Sequence, residues 1–178
     1  MFRHISFAIV LFTACCAAAQ LIFWAGKLPQ EVPIHFDAAG DPDGWSSRSA
    51  LIGLNIGLHV FSLLCLPAVG YFSRFLPDSL INMPNKEYWL AGDRREETYR
   101  VMDSLLLLTG ALTSWLFISI FHLSALVGIG DRQNILPEFG WAIAVYVGLI
   151  LGGCVWMMLR FQAPPEAPRQ NSEQVMEN

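Results

Sequence analysis

The sequence has few charged residues for its length. Aspartate, glutamate, lysine and arginine make up 15% of the 178 residues, whereas a soluble domain usually contains about 25%. The charges also avoid four apolar stretches, 5–25, 50–72, 101–129 and 139–159, each as long as the roughly 20 residues that a helix needs to cross a bilayer. We therefore predict an all-α, polytopic membrane protein whose four transmembrane helices form one domain, residues 1–162, with no room for a separate soluble catalytic domain.

The sequence also lacks the features that mark several other classes of protein. All four cysteines lie inside the apolar stretches, so we expect no disulfide and no CxxC metal or redox motif. No serine, cysteine or threonine nucleophile stands in a recognisable motif, and no basic stripe indicates nucleic acid as a partner. We therefore expect no catalytic residue, no cofactor and no resident metal, with membrane lipid as the first partner.

The positions of lysine and arginine predict the orientation, because these residues are enriched in cytoplasmic loops. Eight of the eleven fall at one end of the predicted bundle, namely Arg3, Arg74, Lys86, Arg94, Arg95, Arg100, Arg160 and Arg169. Lys27, Arg48 and Arg132 fall at the other end. This count places both termini in the cytoplasm, loop 26–49 outside the membrane and loop 73–100 inside. The polar, proline-bearing segment 163–178 is predicted to be a disordered cytoplasmic tail.

The first apolar stretch allows two interpretations. Ala17-Ala18-Ala19-Gln20, which follows the basic Arg3, resembles a signal-peptidase site. The apolar run continues through residues 21–24, an extension that a spanning helix needs and a cleaved signal does not. We therefore favour a retained anchor, and either interpretation leaves the next loop outside.

The predicted outer loop has an unusual pattern of prolines, acids and glycines. Its prolines favour an extended start, in which His35 and Asp37 would point to the same side. Asp41-Pro42-Asp43-Gly44 has the sequence of a type I turn. We predict a ligand-binding surface made of Pro29, Pro33, His35, Phe36, Asp37, Gly40, Asp43, Gly44 and Trp45.

An alternative interpretation of the same loop is a membrane enzyme or a metal site centred on His35 and Asp37. Imidazole with the carboxylates of Asp37, Asp41 and Asp43 would suit zinc or manganese. The spacing of these residues matches no closed structural zinc site.

The predicted inner loop has a second pattern. Asn82-Met83-Pro84-Asn85 is typical of tight turns, and the aromatic pair that follows is typical of anchors at the headgroup level. Asp93 and Glu96 predict a capping box from which a helix runs into the third span. We predict that this loop binds a cytoplasmic regulator through Asn82, Pro84, Asn85, Lys86, Tyr88 and Trp89.

Several polar residues lie inside the predicted spans, where an unpaired polar group is costly. They suggest either a polar pocket, as in a small oligomeric transporter, or ordinary hydrogen bonds between helices. The pocket would be lined by Gln20, Asn55, His59, Ser119 and His122.

Two further patterns lie in or beside the spans. Asp103 with Arg100, three residues apart, would form a surface ion pair or part of a proton path. The pairs Gly53/Gly57 and Gly148/Gly152 predict close helix packing within the chain or, alternatively, a homo-oligomer.

The outer loop is also recognisable as a motif. Leu28-Pro29…Val32-Pro33-Ile34-His35-Phe36…Gly40…Asp43-Gly44-Trp45 resembles the signature of a widespread bacterial membrane domain of unknown function, which also forms the first part of the SdpI-like immunity proteins. Pro84-Asn85-Lys86…Tyr88-Trp89-Leu90 is similar to a second signature of that family, and together the motifs and their flanking spans cover roughly residues 5–90.

This resemblance implies a helical bundle in the plasma membrane with no established enzymatic activity. In the immunity members it implies protection from a secreted toxin, coupled to membrane capture of a transcriptional repressor; those proteins carry further spans after the shared domain. The leading prediction is therefore a binding and signalling, or immunity-type, protein that senses a secreted peptide, toxin or envelope ligand.

Overall fold

The computed structural model describes residues 2–162, and the predicted tail lies outside them. The order of elements is α1 (Phe2–Ala25), β1 (Glu31–Phe36), β2 (Pro42–Ser47), α2 (Arg48–Val60), a π-helical turn (Phe61–Cys65), α3 (Leu66–Ser73), a 3₁₀ turn (Asp78–Leu80), α4 (Lys86–Trp89), α5 (Arg94–Gly128) and α6 (Glu138–Gln162). Four helical segments are long and apolar enough to cross a membrane, namely His4–Ala25, Arg48–Ser73, Arg94–Gly128 and Glu138–Gln162. This confirms the prediction of four such helices.

The longest helix, α5, is the centre of the bundle. It packs against α1, against the α2–α3 segment and against α6. On the α1 side, the Trp115 indole N–H donates to Thr13 Oγ1 (3.1 Å), and Gln20 donates to the carbonyl of Ile118 (2.8 Å). Polar side chains therefore tie α1 to α5 in a setting where lipid offers no alternative partner.

The second apolar segment changes helix type in its middle. Ser47 caps α2, and its hydroxyl accepts the N–H of Ala50 at 3.2 Å. In the π-helical turn the N–H of Leu66 donates to the carbonyl of Phe61, five residues earlier. The wider turn lies just before Pro67, which has no N–H to continue the α-helical pattern.

The prediction of an all-α fold is wrong in the loop between α1 and α2. Strands β1 and β2 pair there as an antiparallel two-stranded sheet, which we call the hairpin. The turn is not at Asp41-Pro42-Asp43-Gly44, because Pro42 begins β2, a position where a strand tolerates proline. It lies four residues earlier, where the N–H of Gly40 donates to the carbonyl of Asp37 (3.0 Å).

The hairpin is fixed to one end of the bundle, which we call the hairpin end. Val32 is fully buried in an apolar cluster with Trp24 of α1, Leu51 of α2 and Phe121 of α5. The hydroxyl of Ser124 in α5 donates to the carbonyl of Pro33. Three helices therefore hold β1 in place.

The opposite end holds most of the arginines, and we call it the arginine-rich end. Asp93 precedes α5, but its side chain makes no capping hydrogen bond, so the predicted capping box is wrong. A small apolar cluster of Ile81, Leu90 and Tyr99 instead packs the connecting segment against the first turns of α5.

The predicted packing role of the two glycine pairs is also wrong within this chain. The four glycines face open space, so that a Cβ added at any of them would meet no atom within 4 Å. They are Gly53, Gly57, Gly148 and Gly152. The close approach is made by Gly110 of α5, where a Cβ would come well inside 3.0 Å of the backbone carbonyl oxygen of Ser62.

This contrast yields a test of helix packing. We expect Gly110→Ala to lower the free energy of unfolding by about 1–3 kcal/mol, because the added methyl group meets a backbone atom that cannot move aside. Gly53→Ala makes the same chemical change in open space and should leave stability unchanged or slightly raised. Thermal unfolding of both variants in detergent measures the difference, and equal midpoints would contradict this packing.

Candidate functional site

An exposed pair of polar side chains joins the two strands of the hairpin. His35 Nδ1 lies 2.5 Å from Asp43 Oδ1, and the two side chains are 72% and 47% exposed. Gly44 pairs with His35 across the sheet, and a Cβ at position 44 would lie 2.8 Å from that of His35. The glycine thus leaves the space that His35 occupies.

Asp37 does not join His35, contrary to the prediction that both face one side. Its Oδ1 accepts the N–H groups of Ala39 (2.8 Å) and Asp41 (3.0 Å). The carboxylate therefore stabilises the turn of the hairpin, a common role of aspartate at the first position of a turn. The pair of His35 with Asp37, on which the alternative of a membrane enzyme was centred, is not formed.

The tip of the hairpin packs on the connection between α5 and α6. Gly40 has a φ of +83°, and a Cβ there would lie 2.7 Å from Leu136 Cγ. The N–H of Ile135 donates to the Gly40 carbonyl (3.0 Å), and Phe36 packs against the cluster that contains Ile135 and Val127. Only glycine fits this contact without strain.

The predicted ligand-binding set therefore divides into two groups. The buried or packed residues, which build the hairpin, are Pro33, Phe36, Gly40 and Gly44, with Pro29 half-buried beside them. His35, Asp43 and the 52%-exposed Trp45 project outward, and Asp37 is exposed at the turn. Within residues 2–162, no three histidine, cysteine, aspartate or glutamate side chains come together as metal ligands, so the proposed metal site is not assembled.

At the arginine-rich end, the second patterned segment binds the end of α6. The indole N–H of Trp89 donates to the carbonyl of Phe161 (2.9 Å). The Asn85 amide donates to the carbonyls of Phe161 (3.2 Å) and Gln162 (2.5 Å). The last carbonyls of a helix lack partners within it, and this segment supplies them.

Arg160 reinforces this contact, which we call the α6 latch. Its guanidinium lies 4.7 Å from the centre of the Trp89 ring and 3.5 Å from Glu97 Oε1. Because Asn85 and the buried Trp89 are used inside the chain, the surface predicted to bind a regulator is smaller than expected.

Of the remaining residues predicted to bind a regulator, two are exposed and two have partners within the chain. Asn82 and Pro84 are exposed, Tyr88 lies 4.1 Å below the Arg94 guanidinium, and Lys86 donates to the carbonyl of Asp78 (3.2 Å).

Asp78 is itself tied to the first turn of α5. Arg95 donates two hydrogen bonds to it and thereby holds the pKa of the Asp78 carboxyl below its usual value.

Four of the five polar residues predicted to share one pocket are bonded to separate partners. His59 Nδ1 lies 2.6 Å from Ser114 Oγ, His122 Nδ1 accepts the Trp24 indole N–H (3.3 Å), and Ser119 bonds the carbonyl of Trp115 (3.0 Å). Gln20 reaches α5 as described above. Asn55 is buried beside them with its Oδ1 unpaired among the described residues.

The sequence analysis did not identify two of the polar pairs between helices. Ser114 faces His59 although 55 residues separate them, and Arg74 pairs with Asp103 from 29 residues away. The predicted pair of Asp103 with Arg100 is wrong, because Arg100 lies 3.7 Å from Glu96 one turn earlier. The sequence shows only that these polar residues lie in or beside apolar runs, where they need partners; it does not show which residues pair.

The four apolar helices with polar segments at both ends define a multi-pass membrane protein. Within it, residues 11–58 match a family described as a domain of unknown function, DUF1648. The match covers about a quarter of the chain, from within α1 through the hairpin into α2. No curated protein and no solved structure matches the chain.

The α6 latch gives a second test. We expect Trp89→Phe to lower the free energy of unfolding by about 1–2 kcal/mol, because the carbonyl of Phe161 loses one of its two donors and the smaller ring packs less surface. Trp156→Phe is the matched control on the exposed face of α6 and should change stability by less than 1 kcal/mol. Chemical or thermal unfolding in detergent compares them, and equal losses would contradict the latch.

Proposed function

We propose that this chain is a membrane protein that binds a ligand through the exposed side of its hairpin. The observation that carries the proposal is that some hairpin residues pack against the bundle while others project outward. The backbone of the hairpin is fixed by α1, α2, α5 and the α5–α6 connection, while His35, Asp43 and Trp45 contribute no buried contact. Side chains presented on a rigid support lose little freedom on binding, which favours affinity.

The ligand is proposed to lie outside the cytoplasm of a bacterial cell. The hairpin end carries Lys27, Arg48 and Arg132, whereas the arginine-rich end carries Arg74, Arg94, Arg95, Arg100 and Arg160 among others. Basic residues are enriched on the cytoplasmic side of plasma-membrane proteins. This difference supports an exterior hairpin and cytoplasmic termini.

The chemistry of the exposed side is that of a recognition surface. His35 and Asp43 offer a donor and an acceptor at fixed spacing, and Trp45 offers a large rigid ring of the kind enriched where proteins bind partners. A secreted peptide or toxin fits these groups, and an immunity role is a narrower form of the same proposal.

A signalling role would require the two ends of the bundle to communicate. Helix α5 contacts both ends, through Ser124 at the hairpin and through Thr98, whose hydroxyl donates to the carbonyl of Trp89 (3.0 Å). A signal would further require two arrangements of the bundle with different affinity for the ligand. Amide hydrogen exchange of the segment around Trp89, measured with and without bound ligand, would test the signalling role.

The alternatives have less support. An enzyme needs a reactive group beside His35, but Asp43 is its partner and Asp37 is used in the turn. A transporter needs a continuous polar path, but Gln20, His59 and His122 are each bonded to a separate partner on a neighbouring helix. Ser119 bonds the carbonyl of Trp115 within its own helix.

Photocrosslinking in intact cells tests the proposal. A benzoylphenylalanine at position 45 should form an adduct with an extracytoplasmic ligand, whereas the same residue at Leu11, an exposed position on α1, should not. His35→Ala should reduce the position-45 adduct at least tenfold. Its effect on stability should stay below about 1 kcal/mol, because the pair with Asp43 is solvent-exposed.

The matched positions make a negative result informative. Identical adducts from positions 45 and 11 would show contact with the bilayer alone, and an adduct insensitive to His35→Ala would show that the polar pair takes no part. Either outcome contradicts ligand binding by this face of the hairpin.

A further inference from the structure

The two outer edges of the hairpin sheet differ. In an antiparallel ladder, alternate residues direct their backbone groups toward the partner strand and away from it. The N–H of Arg48 donates to the carbonyl of Gln30 (2.9 Å), and Val32 pairs with Ser46 two residues further along. The intervening residues therefore direct their backbone N–H and C=O groups outward, on β1 at Glu31 and Pro33 and on β2 at Trp45 and Ser47.

The β1 edge is closed by its own sequence and by α5. Pro33 has no N–H to offer, and its carbonyl accepts the hydroxyl of Ser124. Both residues are buried, so no further strand can approach β1 at this point.

The β2 edge is open. Over residues 2–162, no hydrogen bond from another element reaches the N–H or C=O of Trp45 or the N–H of Ser47. The Ser47 hydroxyl is used as the cap of α2, but its backbone N–H is not. An exposed edge of this kind is a template for an additional strand.

The formal charges within the hairpin itself are all negative. Arg48, the residue after β2, is half-buried and donates to the carbonyl of Leu28 (3.1 Å). Residues 31–47 contain four carboxylates and no lysine or arginine, and the acids are Glu31, Asp37, Asp41 and Asp43. Since opposite charge promotes association and like charge suppresses it, the complementary partner is basic.

We propose that the hairpin's ligand is an extended basic peptide segment that pairs with β2 as a third strand. This inference rests on the proposed function and names the chemical class of its ligand. Backbone hydrogen bonds to Trp45 and Ser47 supply affinity, as in other cases of strand addition. The acidic side chains select for lysine or arginine in the peptide, and Trp45 covers an apolar residue beside them.

Ser47 allows an unusually clean test, because its φ is −70° and proline fixes φ near −65°. Ser47→Pro therefore removes the outward N–H without forcing the backbone, and Ser47→Ala is the matched control. Both variants lose the hydroxyl that caps α2, so they differ in the N–H and in the proline ring that replaces it; Ser46 before the ring is already extended in β2.

The probe is a fluorescent eight-residue peptide of alternating lysine and valine, titrated onto the full chain in nanodiscs. We expect saturable binding to wild type, a Kd within about threefold for Ser47→Ala and at least tenfold weaker binding for Ser47→Pro. A peptide with glutamate in place of lysine should bind at least tenfold more weakly to wild type.

Hydrogen exchange on the wild-type protein provides a measurement that does not depend on the variants folding. The lysine–valine peptide should slow exchange of the Trp45 and Ser47 amides. No protection, no binding by wild type, equal binding to both Ser47 variants or equally tight binding of the glutamate peptide would each overturn the inference. If the His35-dependent adduct still forms from position 45, only the peptide class fails and the proposed function stands.

Discussion

Lipid supplies no hydrogen bonds, so each polar group between helices must find its partner inside the protein. Helix α5 meets this constraint along most of its length. It accepts Gln20 at the Ile118 carbonyl, pairs Ser114 with His59 and reaches the hairpin through Ser124. The positions of the other elements follow from these contacts, because the other helices and strand β1 all pack against the same helix, and β2 pairs with β1.

The close approach of Gly110 to Ser62 is a consequence of this arrangement. Two helices can bring a serine and a histidine together only if their backbones also come near, and a glycine permits that distance. The π-helical turn lies at the same level and begins two residues after His59. Its wider geometry reorients the α3 half of the segment, which then places Arg74 beside Asp103.

The sequence predicts the spans well and the hairpin poorly, for different physical reasons. A spanning helix is specified locally, by apolar length and by charges that avoid it. The turn of the hairpin had two candidates, since Asp37-Ala38-Ala39-Gly40 and Asp41-Pro42-Asp43-Gly44 both have aspartate first and glycine fourth. Contacts of Gly40 with Ile135 and Leu136, nearly a hundred residues away, favour the first.

The pairings were beyond sequence reasoning for a related cause. Spacing rules recognise partners three or four residues apart, and they favoured Arg100 for Asp103. The actual partner, Arg74, lies on another helix, and a partly buried carboxylate gains more from a second helix that excludes water than from an exposed neighbour. The same reasoning separates Asn85 and Trp89 from a surface role, because their partners are carbonyls at the end of α6.

The segment matched to DUF1648 therefore does not contain all the contacts that hold it. Its hairpin depends on Ser124, which bonds Pro33, and on Ile135, which bonds Gly40, and both lie outside residues 11–58. Without them the carbonyls of Pro33 and Gly40 would lose their partners. Without Phe121 and Ala125 of the same helix, Val32 would lose part of its apolar cover. A two-stranded sheet is only marginally stable on its own and would not withstand these losses. Any chain that folds this segment in the same way must supply an equivalent hydroxyl donor and an equivalent apolar wall from elsewhere. The exposed edge of β2 has no such requirement, because no other element of the described residues bonds to its outward N–H groups. Its side chains can therefore change without loss of the contacts that hold the hairpin.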